Sequence, residues 1–457
     1  MKSKIVRSFK KVIGKVLGKV IGEVFGKALR CHLLCLIVLC VIVGCADEVS
    51  EPEYITSPYT EKTIAFFEKS SSEYCPNVLK TVEIDGKRCL LKDQTQTIRI
   101  SLDKYTLKHI PKNLVKGIVF NGLTIDSNGS FDPAVLKKIL SAFGTINADV
   151  LALKKLEIWV SSYNDEHPRT LAQTPTRTPK CILNVKVLTI YATPKTTIEW
   201  LQERVDLSLS RINLLIDCMA DFGNLEVLDG FNAEEITSLM LYGIDKLEGL
   251  DCSLFREGPL PDELFLWDST YGTPPKISEQ IIQNMLAKEW VRLRMPVELW
   301  VELMKPSEQP ERLTAGKLWI YLAPYQTQTL IRTIGMNLAW VKDLTLDFGK
   351  DDTMLTSTAL EQTLDWISRN FSGLEELSVN GLTTPTLIEF VRTHTFGITT
   401  NPTLKRIEVF DVECMHIRDE SNIVCFSLEA WELFGSGKLG DELANSQTDL
   451  SQLSPEQ

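Results

Sequence analysis

Aromatic and arginine side chains recur at alternate positions within short apolar stretches of this sequence, as in Phe265-Leu266-Trp267 and Arg292-Leu293-Arg294. On a β-strand such alternation places the rings and guanidinium groups on one face and the aliphatic residues on the other. Aromatic rings and arginine dominate the energetics of protein interfaces, so the pattern predicts a partner-binding face. The alternative is that the rings pack on one another and fill that face. The candidate residues are Trp159, Tyr191, Tyr242, Phe265, Trp267, Arg292, Arg294, Trp319 and Tyr321.

The sequence shows no arrangement of residues that is typical of a catalytic site. There is no glycine-rich phosphate loop, no G-x-S-x-G and no H-E-x-x-H motif. The sequence also lacks a C-x-x-C pair, so a structural zinc site is not expected. We therefore predict a non-enzymatic protein with no metal and no cofactor. The five histidines are scattered, at His32, His109, His167, His394 and His416.

Charge is distributed unevenly along the 457-residue chain, whose formal net charge is −11. Residues 1–45 carry nine Lys/Arg and one acidic residue, which gives +8, so residues 46–457 carry −19. Nucleic-acid binding needs clustered basic side chains that neutralise phosphates. The acidic body of the chain therefore predicts no nucleic-acid partner.

A short skeleton, apolar-x-x-apolar-x-apolar, recurs along the chain and reads as a strand with one apolar face. One such strand cannot bury its apolar face alone, but a stack of them with a helix after each strand can. Ile98 and Ile118 are the middle residues of the first two predicted strands. From Leu156 onwards, successive middle residues are 24 to 33 residues apart. They are Leu156, Leu188, Ile212, Leu239, Leu264, Leu293, Leu318, Leu344, Leu377 and Ile407.

This recurrence, over residues 95–412, resembles the leucine-rich-repeat superfamily. The resemblance implies an α/β solenoid in the form of a horseshoe, with a parallel concave sheet, convex helices and a protein partner on the concave face. An ordinary α/β domain with several buried strands is the alternative. Five positions after the middle residue the family often carries Asn or Cys, and the departures here favour the irregular, long-repeat type. At those positions this chain has Ser161, Thr193, Gly349, Leu382 and Val412.

Segments between the predicted strands have apolar residues at helical spacing and would form the convex layer. Asp132 followed by Pro133 is a typical helix start, with a capping side chain and a proline in the first turn. Residues 161–180 are rich in Thr and Pro and are predicted to form an inserted loop. The predicted helices cover residues 132–140, 197–205, 278–286 and 357–367.

The N-terminal residues 1–30 are basic, with glycines at every fourth position from Gly14 to Gly26. Four residues advance a helix by about 400°, so these glycines stay near one face of a helix. Two interpretations remain open. The segment is either a cationic amphipathic helix on an anionic membrane surface or the long, positively charged start of a signal sequence.

Residues 31–46 follow as an apolar segment, and residues 31–45 contain no formally charged side chain. This length is short for a transmembrane helix and suits a signal sequence. Cys45 also matches the acylated cysteine of a lipoprotein signal, and an uncleaved segment would be a signal anchor. In all three interpretations, residues 1–45 contact the membrane and the rest of the chain is exported. A buried helix of a soluble protein is the alternative.

Residues 47–94 are predicted to be a linker followed by an N-terminal cap, and residues 413–434 a C-terminal cap. Thr60–Ser70 reads as a helix, and Asp85-Gly86 as the turn of a hairpin. In an exported protein, a disulfide would join Cys75 to Cys89, with two unrelated thiols as the alternative. Cys414 and Cys425, which bracket a hairpin-like segment, are further disulfide candidates, and the sequence leaves the connectivity open. Residues 435–457 have few apolar residues and are predicted to be a disordered tail.

Asn128 and Asn370 occur in N-glycosylation sequons, which matter only for a chain in a eukaryotic secretory route. Together these features predict a secreted or membrane-anchored leucine-rich-repeat protein that binds a protein ligand through its concave face. The alternative is an intracellular leucine-rich-repeat adaptor of a ubiquitin-ligase-like complex. That alternative needs an adaptor-binding helical module before the repeats, and residues 46–94 are short and polar for such a module.

Overall fold

The computed structural model describes residues 52–71, 76–158, 179–218, 222–267, 275–305, 312–322, 326, 330, 339–349, 356–381, 388, 391, 396–397, 403–410, 412–418 and 423–427. The first half of this part contains β1 (Tyr54–Ile55), α1 (Thr60–Glu68), β2 (Thr81–Ile84), β3 (Lys87–Leu91), β4 (Asp93–Ser101), β5 (Val119–Asp126), β6 (Ser130–Phe131), α2 (Pro133–Phe143), β7 (Thr145–Lys154), β8 (Glu157–Ile158), β9 (Cys181–Tyr191), α3 (Lys195–Gln202), β10 (Val205–Asp206) and β11 (Arg211–Asp217). The second half contains β12 (Glu235–Tyr242), α4 (Ser253–Glu257), β13 (Glu263–Trp267), α5 (Glu279–Ala287), β14 (Glu289–Pro296), α6 (Val297–Leu303), β15 (Leu313–Tyr321), β16 (Ala339–Asp347), α7 (Ser357–Asn370), β17 (Phe371–Ser372), β18 (Glu376–Asn380), β19 (Phe396–Gly397), β20 (Arg406–Val409), β21 (Val412–Arg418) and β22 (Ile423–Ser427). Short 3-10 helices occupy Leu102–Lys104, Leu107–His109, Glu226–Gly230 and Ile244–Lys246.

The chain has an α/β fold built on one large sheet that contains fourteen parallel strands. Its main ladder runs β4-β5-β7-β9-β11-β12-β13-β14-β15-β16-β18-β20, and each strand pairs in parallel with the next. The short strands β10 and β17 add parallel pairings to β9 and β16. Neighbours in the sheet therefore follow the order of the chain.

One aliphatic residue from each of the twelve ladder strands stands in a continuous row, which we name the aliphatic ladder. Every member is at most 1 % exposed. Successive members are 25 to 37 residues apart in the sequence, the longest interval separating Leu151 from Leu188. The ladder consists of Ile98, Leu123, Leu151, Leu188, Leu214, Leu239, Leu264, Leu293, Leu318, Leu344, Leu377 and Ile407.

Nine ladder positions agree with the sequence prediction, whereas three differ from it. In β11 the ladder residue is Leu214 and not Ile212, a slip of two residues that keeps the same face buried, since Ile212 is also fully buried. In β5 and β7 the ladder residues are Leu123 and Leu151, so the predicted middle positions Ile118 and Leu156 fall outside both strands.

The chain bends sharply after β7, which explains the error at Leu156. Lys155 adopts φ 52°, the left-handed region that non-glycine residues rarely occupy. The backbone N–H of Leu156 then donates to Thr193 Oγ1 at 3.3 Å, and this hydroxyl donates to the Tyr191 carbonyl at 3.0 Å. The Thr193 hydroxyl thus links the bend after β7 to the end of β9.

The helices form where helical periodicity predicts them. A helix forms at each of the four predicted segments, as α2, α3, α5 and α7. The segment predicted to end at residue 205 is shorter, because α3 ends at Gln202 and Val205 begins β10. The Asp132 side chain accepts a hydrogen bond from the Ala134 N–H at 2.8 Å, and Pro133 occupies the first turn. The inward sides of these helices bury residues such as Ile139 and Ile281 in the same core as the aliphatic ladder. The opposite face of the sheet, which we name the site face, carries the residues that alternate with the ladder.

A small antiparallel sheet, β1-β3-β2, and helix α1 precede the main ladder. The helix predicted near residue 60 and the hairpin with its Asp85-Gly86 turn are both confirmed. Phe67 from α1 is fully buried, with its ring centroid 5.7 Å from that of Phe120 in β5. An aromatic layer therefore covers the start of the ladder core.

The far end of the sheet becomes antiparallel through β20, β21, β22 and β19. The strands β21 and β22 form an antiparallel hairpin, in whose register Cys414 lies opposite Ser427 and Cys425 opposite His416. Cys89 carries a buried free thiol, and Cys75, its predicted disulfide partner, lies outside the described residues.

Several predicted segments fall outside the described residues. These are residues 1–30, the apolar segment 31–46, most of the inserted loop 161–180, and the tail 435–457. No helix in the described ranges combines the length and the apolar character needed to cross a membrane.

Candidate functional site

The residues that directly follow the ladder residues in the sequence form the central row of the site face. Their side chains change in type along the sheet. The row begins with Arg99, passes through aliphatic and aromatic side chains, and ends at Glu408. Apart from Ala152, each member is half-buried, so this row forms a surface with limited access to solvent. The row consists of Arg99, Thr124, Ala152, Thr189, Leu215, Met240, Phe265, Arg294, Trp319, Thr345, Ser378 and Glu408.

Four rings and one guanidinium group in the middle of this face contact one another; we name Tyr242, Trp267, Arg294, Trp319 and Tyr321 the aromatic cluster. The Tyr242 and Trp267 ring centroids are 6.0 Å apart, and those of Trp267 and Tyr321 are 5.8 Å apart. The guanidinium carbon of Arg294 lies 3.6 Å from the Trp267 ring centroid and 3.8 Å from that of Trp319. Arg294 is therefore held between two indole rings.

Burial and charge both shape the environment of Arg294. Its side chain is 12 % exposed, and a guanidinium nitrogen lies 3.7 Å from a carboxylate oxygen of Asp347. Burial lowers the pKa of Arg294, and the negative charge of Asp347 opposes this effect. The Nε of Arg294 and the Nε1 of Trp319 are buried donors without an acceptor in the described part of the chain. Two unsatisfied donors in one cluster are unusual in a folded protein.

The structure places eight of the nine predicted binding residues on the site face; the ninth, Trp159, lies outside the described residues. The adjacent Glu157 belongs to β8, which pairs with β6 and not with the main sheet. The predicted strand around Leu156 therefore does not extend the main sheet at Glu157.

The predicted residues differ in accessibility. Tyr191 is 44 % and Tyr242 38 % exposed, whereas Tyr321 is only 7 % exposed. The hydroxyl of Tyr321 donates to the Leu266 carbonyl at 2.8 Å, so Tyr321 forms the buried side of the cluster. Arg292 is exposed and lies 3.4 Å from Glu263. Phe265 is half-buried beside Arg294 in the central row.

A cavity of about 590 Å³ adjoins the aromatic cluster at Tyr242. The sequence prediction missed it, because the register of β5 and β7 was displaced and their site-face residues could not be assigned. In the correct register, Arg99 and Lys154 stand at the ends of strands that share this face. The lining residues are Arg99, Asp126, Ser127, Asn128, Lys154, Lys155, Thr189, Tyr191, Leu215, Met240 and Tyr242.

The two sequons differ in accessibility. Asn128 is exposed at the edge of the cavity. Asn370 is 3 % exposed, and its amide donates to the Trp366 carbonyl at 2.7 Å at the end of α7. A glycan at Asn370 is incompatible with this packing, so the prediction of that modification is corrected.

Cysteine chemistry and metal binding would use the buried cysteines and the possible metal ligands within the described ranges. Burial raises the pKa of Cys181 to about 12 and that of Cys252 to about 11, and it also raises the pKa of Cys218. These thiols are poor nucleophiles, because the thiolate is the reactive form. Among the described residues, no three His, Cys, Asp or Glu side chains are arranged to hold a metal ion.

Comparison with known proteins adds no relative: no protein-family model, no curated protein and no solved structure matches the chain.

Proposed function

We propose that the chain is a non-enzymatic leucine-rich-repeat protein of the irregular, long-repeat type, which binds a protein partner through its site face. In this proposal the site face is the concave surface of a horseshoe-shaped solenoid. Twelve strands that follow one another in the sheet, each with one buried ladder residue, support the repeat assignment. The variable spacing supports the irregular type.

The observation that carries the binding proposal is the position of Arg294 between Trp267 and Trp319. Tryptophan, tyrosine and arginine are the residues most enriched among those that dominate interface energies. Here they are held by packing before any partner arrives, which lowers the entropy lost on binding. The unsatisfied donors on Arg294 and Trp319 could be reached by partner acceptors after a small rearrangement of the rings.

The test compares two tryptophan–arginine pairs in one chain. Arg204 lies 4.0 Å from the ring centroid of Trp200 at the end of helix α3, outside the aromatic cluster. A photo-crosslinking amino acid at position 265 should capture a specific partner, and the same amino acid at position 200 should not. The Trp267→Ala/Trp319→Ala variant should abolish the crosslink formed from position 265.

The control for this experiment is Trp200→Ala, which should retain crosslinking from position 265. Far-UV circular dichroism must show that all variants keep their secondary structure. The binding proposal fails if the double alanine variant remains folded and still forms the same crosslink. Capture from position 200 alone would move the partner to the helical side of the sheet.

We further propose that the protein is secreted or membrane-anchored, with the repeats outside the cytoplasm. The basis is the +8 charge of residues 1–45 and the uncharged segment 31–45. The test fuses a reporter after Gln457. Protease added outside intact cells should digest the reporter, whereas protease present in the cytoplasm should leave it intact. Digestion by the cytoplasmic protease would reject this location.

The intracellular adaptor is a second candidate, and one observation favours it. Cys89, Cys181, Cys218 and Cys252 are all buried free thiols. Exported proteins usually form disulfides, whereas cytosolic proteins keep their thiols reduced. The same reporter experiment separates the two candidates, because an adaptor would be reached only by the cytoplasmic protease.

A further inference from the structure

The cavity beside the aromatic cluster has the dimensions and lining of a small-molecule site. Its volume of about 590 Å³ lies within the roughly 300–1,000 Å³ that is typical of ligand pockets. Leu215 and Met240 are half-buried and supply an apolar wall, and the exposed rings of Tyr191 and Tyr242 lie at its edge. The remaining lining is polar, so the cavity presents an apolar side and a polar side.

The charge balance of the polar side is positive. Three basic residues, Arg99, Lys154 and Lys155, line the cavity together with one acidic residue, Asp126. The carboxylate of Asp126 is already engaged, since Arg99 Nε donates to Oδ2 at 2.5 Å and Ser101 Oγ to Oδ1 at 2.7 Å. Arg99 and Asp126 thus neutralise each other inside the cavity.

Within the described part of the chain, the two lysines have no such neutralising partner. Among the described residues, no carboxylate lies within ion-pair distance of Lys154 or Lys155. Two uncompensated positive charges therefore face a cavity in a body, residues 46–457, that carries a net −19. A concentration of positive charge in a half-enclosed cleft attracts anions more strongly than the same charges on an open surface.

Backbone geometry fixes the position of one of these lysines. Lys155 has φ 52°, and its N–H donates to the Tyr191 carbonyl at 2.8 Å. A left-handed conformation is costly for lysine, so glycine or asparagine would fit this bend with less strain. The corresponding bends after β9 and β12 are made by Ala192, with φ 47°, and by Gly243, with φ 76°. The bend fixes the backbone of Lys155, which lines the cavity.

We propose that this cavity binds an amphipathic organic anion, with its carboxylate beside Lys154 and Lys155 and its apolar or aromatic body against Met240, Leu215 and the two tyrosine rings. The carboxylate belongs either to a free aromatic acid or to an acidic side chain of a peptide. The inference does not depend on protein binding at the aromatic cluster, because only Tyr242 is shared by the two surfaces.

The experiment uses the full chain with ¹³C-methyl methionine, and the Met240 resonance is assigned with Met240→Leu. The free-acid arm uses phenylacetate and its uncharged counterpart phenylacetamide. The peptide arm uses N-acetyl-Phe-Glu-amide and N-acetyl-Phe-Gln-amide. We expect at least one carboxylate compound to shift the Met240 signal in a saturable manner, and its uncharged counterpart to bind at least tenfold more weakly.

Charge variants test the lysines directly. Lys154→Gln/Lys155→Asn should weaken carboxylate binding at least tenfold, and asparagine is suited to the left-handed bend. A second variant, Lys154→Glu, tests the same charge without touching that bend. The control Lys108→Asn/Lys137→Gln removes two exposed lysines that do not line the cavity, and it should leave binding unchanged.

Each outcome has a defined meaning. Binding of phenylacetate identifies a free acid as a sufficient ligand, whereas binding of the glutamate peptide alone identifies a peptide source. Equal binding of the charged and uncharged compounds, or unchanged binding by both lysine variants, overturns the proposal. Absence of any shift with all four compounds also overturns it. None of these results depends on whether a protein partner crosslinks at position 265.

Discussion

The guanidinium carbon of Arg294 lies 3.6 Å from the ring centroid of Trp267, and Trp319 covers its other side at 3.8 Å. The parallel register produces this arrangement, because Arg294 pairs with Phe265 in β13 and with Trp319 in β15. The side chains of consecutive strands are therefore stacked along the sheet. A flat guanidinium group fits between two rings, whereas a lysine ammonium group does not.

Replacement of Arg294 by lysine should destabilise the fold and weaken partner binding at the aromatic cluster. Cation–π contacts with a desolvated arginine contribute on the order of 1–2 kcal/mol, and lysine cannot stack on both rings. Chemical denaturation should show a loss of about this size for Arg294→Lys. Arg204→Lys is the matched control, since Arg204 contacts a single tryptophan, and its loss should be smaller. Equal losses of stability in the two variants would contradict a special role for the position of Arg294 between two tryptophan rings.

Leu344 tests the aliphatic ladder at a position that is 1 % exposed, between Leu318 and Leu377. Leu344→Asp would bury an unpaired charge and should reduce the free energy of unfolding by at least about 3 kcal/mol. Thr345→Asp, on the adjacent half-buried position of the site face, should cost far less. Thermal melting of both variants measures the difference. Similar melting temperatures would show that the two faces have been assigned incorrectly.

The sequence predicted the strands of the sheet correctly where the apolar skeleton recurs without a competing pattern. The prediction failed where a second apolar pattern was present. In β11, Ile212, Leu214 and Ile216 are all buried, so alternation alone could not distinguish registers that differ by two residues. Leu209, which began the predicted repeat there, is 72 % exposed. The strand β7 is followed by a left-handed residue, Lys155, and no sequence signal identifies such a bend when the residue is not glycine.

The candidate site was predicted correctly only where the register of the strands was predicted correctly. Alternation correctly placed Trp267, Arg294 and Trp319 on one face, but it did not reveal that the arginine lies between the rings. Tyr321 shares that face and is nevertheless buried, because packing by Trp267 covers it. The cavity depended on the two strands whose register was displaced by five residues, so its lysines could not be brought together from the sequence.

Glu298 should give a pH-dependent contribution to stability. Burial raises its pKa, and Oε2 has no hydrogen-bond partner in the described part of the chain. The folded state therefore binds this proton more tightly than the unfolded state does. Ionised Glu298 therefore lowers the free energy of unfolding in full above its folded-state pKa. This loss disappears as the pH falls from the folded-state pKa to the unfolded-state pKa of Glu298.

The measurement for Glu298 is denaturation of the native protein and Glu298→Gln between about pH 4 and pH 8. The glutamine variant should be more stable at the neutral end, and the gain should shrink towards the acidic end. Glutamine can still accept the hydrogen bond that Gln326 donates to Oε1. Glu302→Gln on the same helix is the control and should show no such gain. A pH-independent difference between the native protein and Glu298→Gln would refute the assignment.

Buried thiols provide a test of how well the core beneath the sheet excludes solvent. Burial raises the pKa of Cys181 to about 12 and that of Cys252 to about 11, so the reactive thiolate is scarce at neutral pH. For Cys181 the thiolate fraction is roughly a thousandfold below that of an ordinary thiol. Iodoacetamide followed by peptide mass mapping should leave both residues unmodified in the native chain and alkylate both in denaturant. Rapid native alkylation of Cys181 would show that the strand β9 is not part of a closed core.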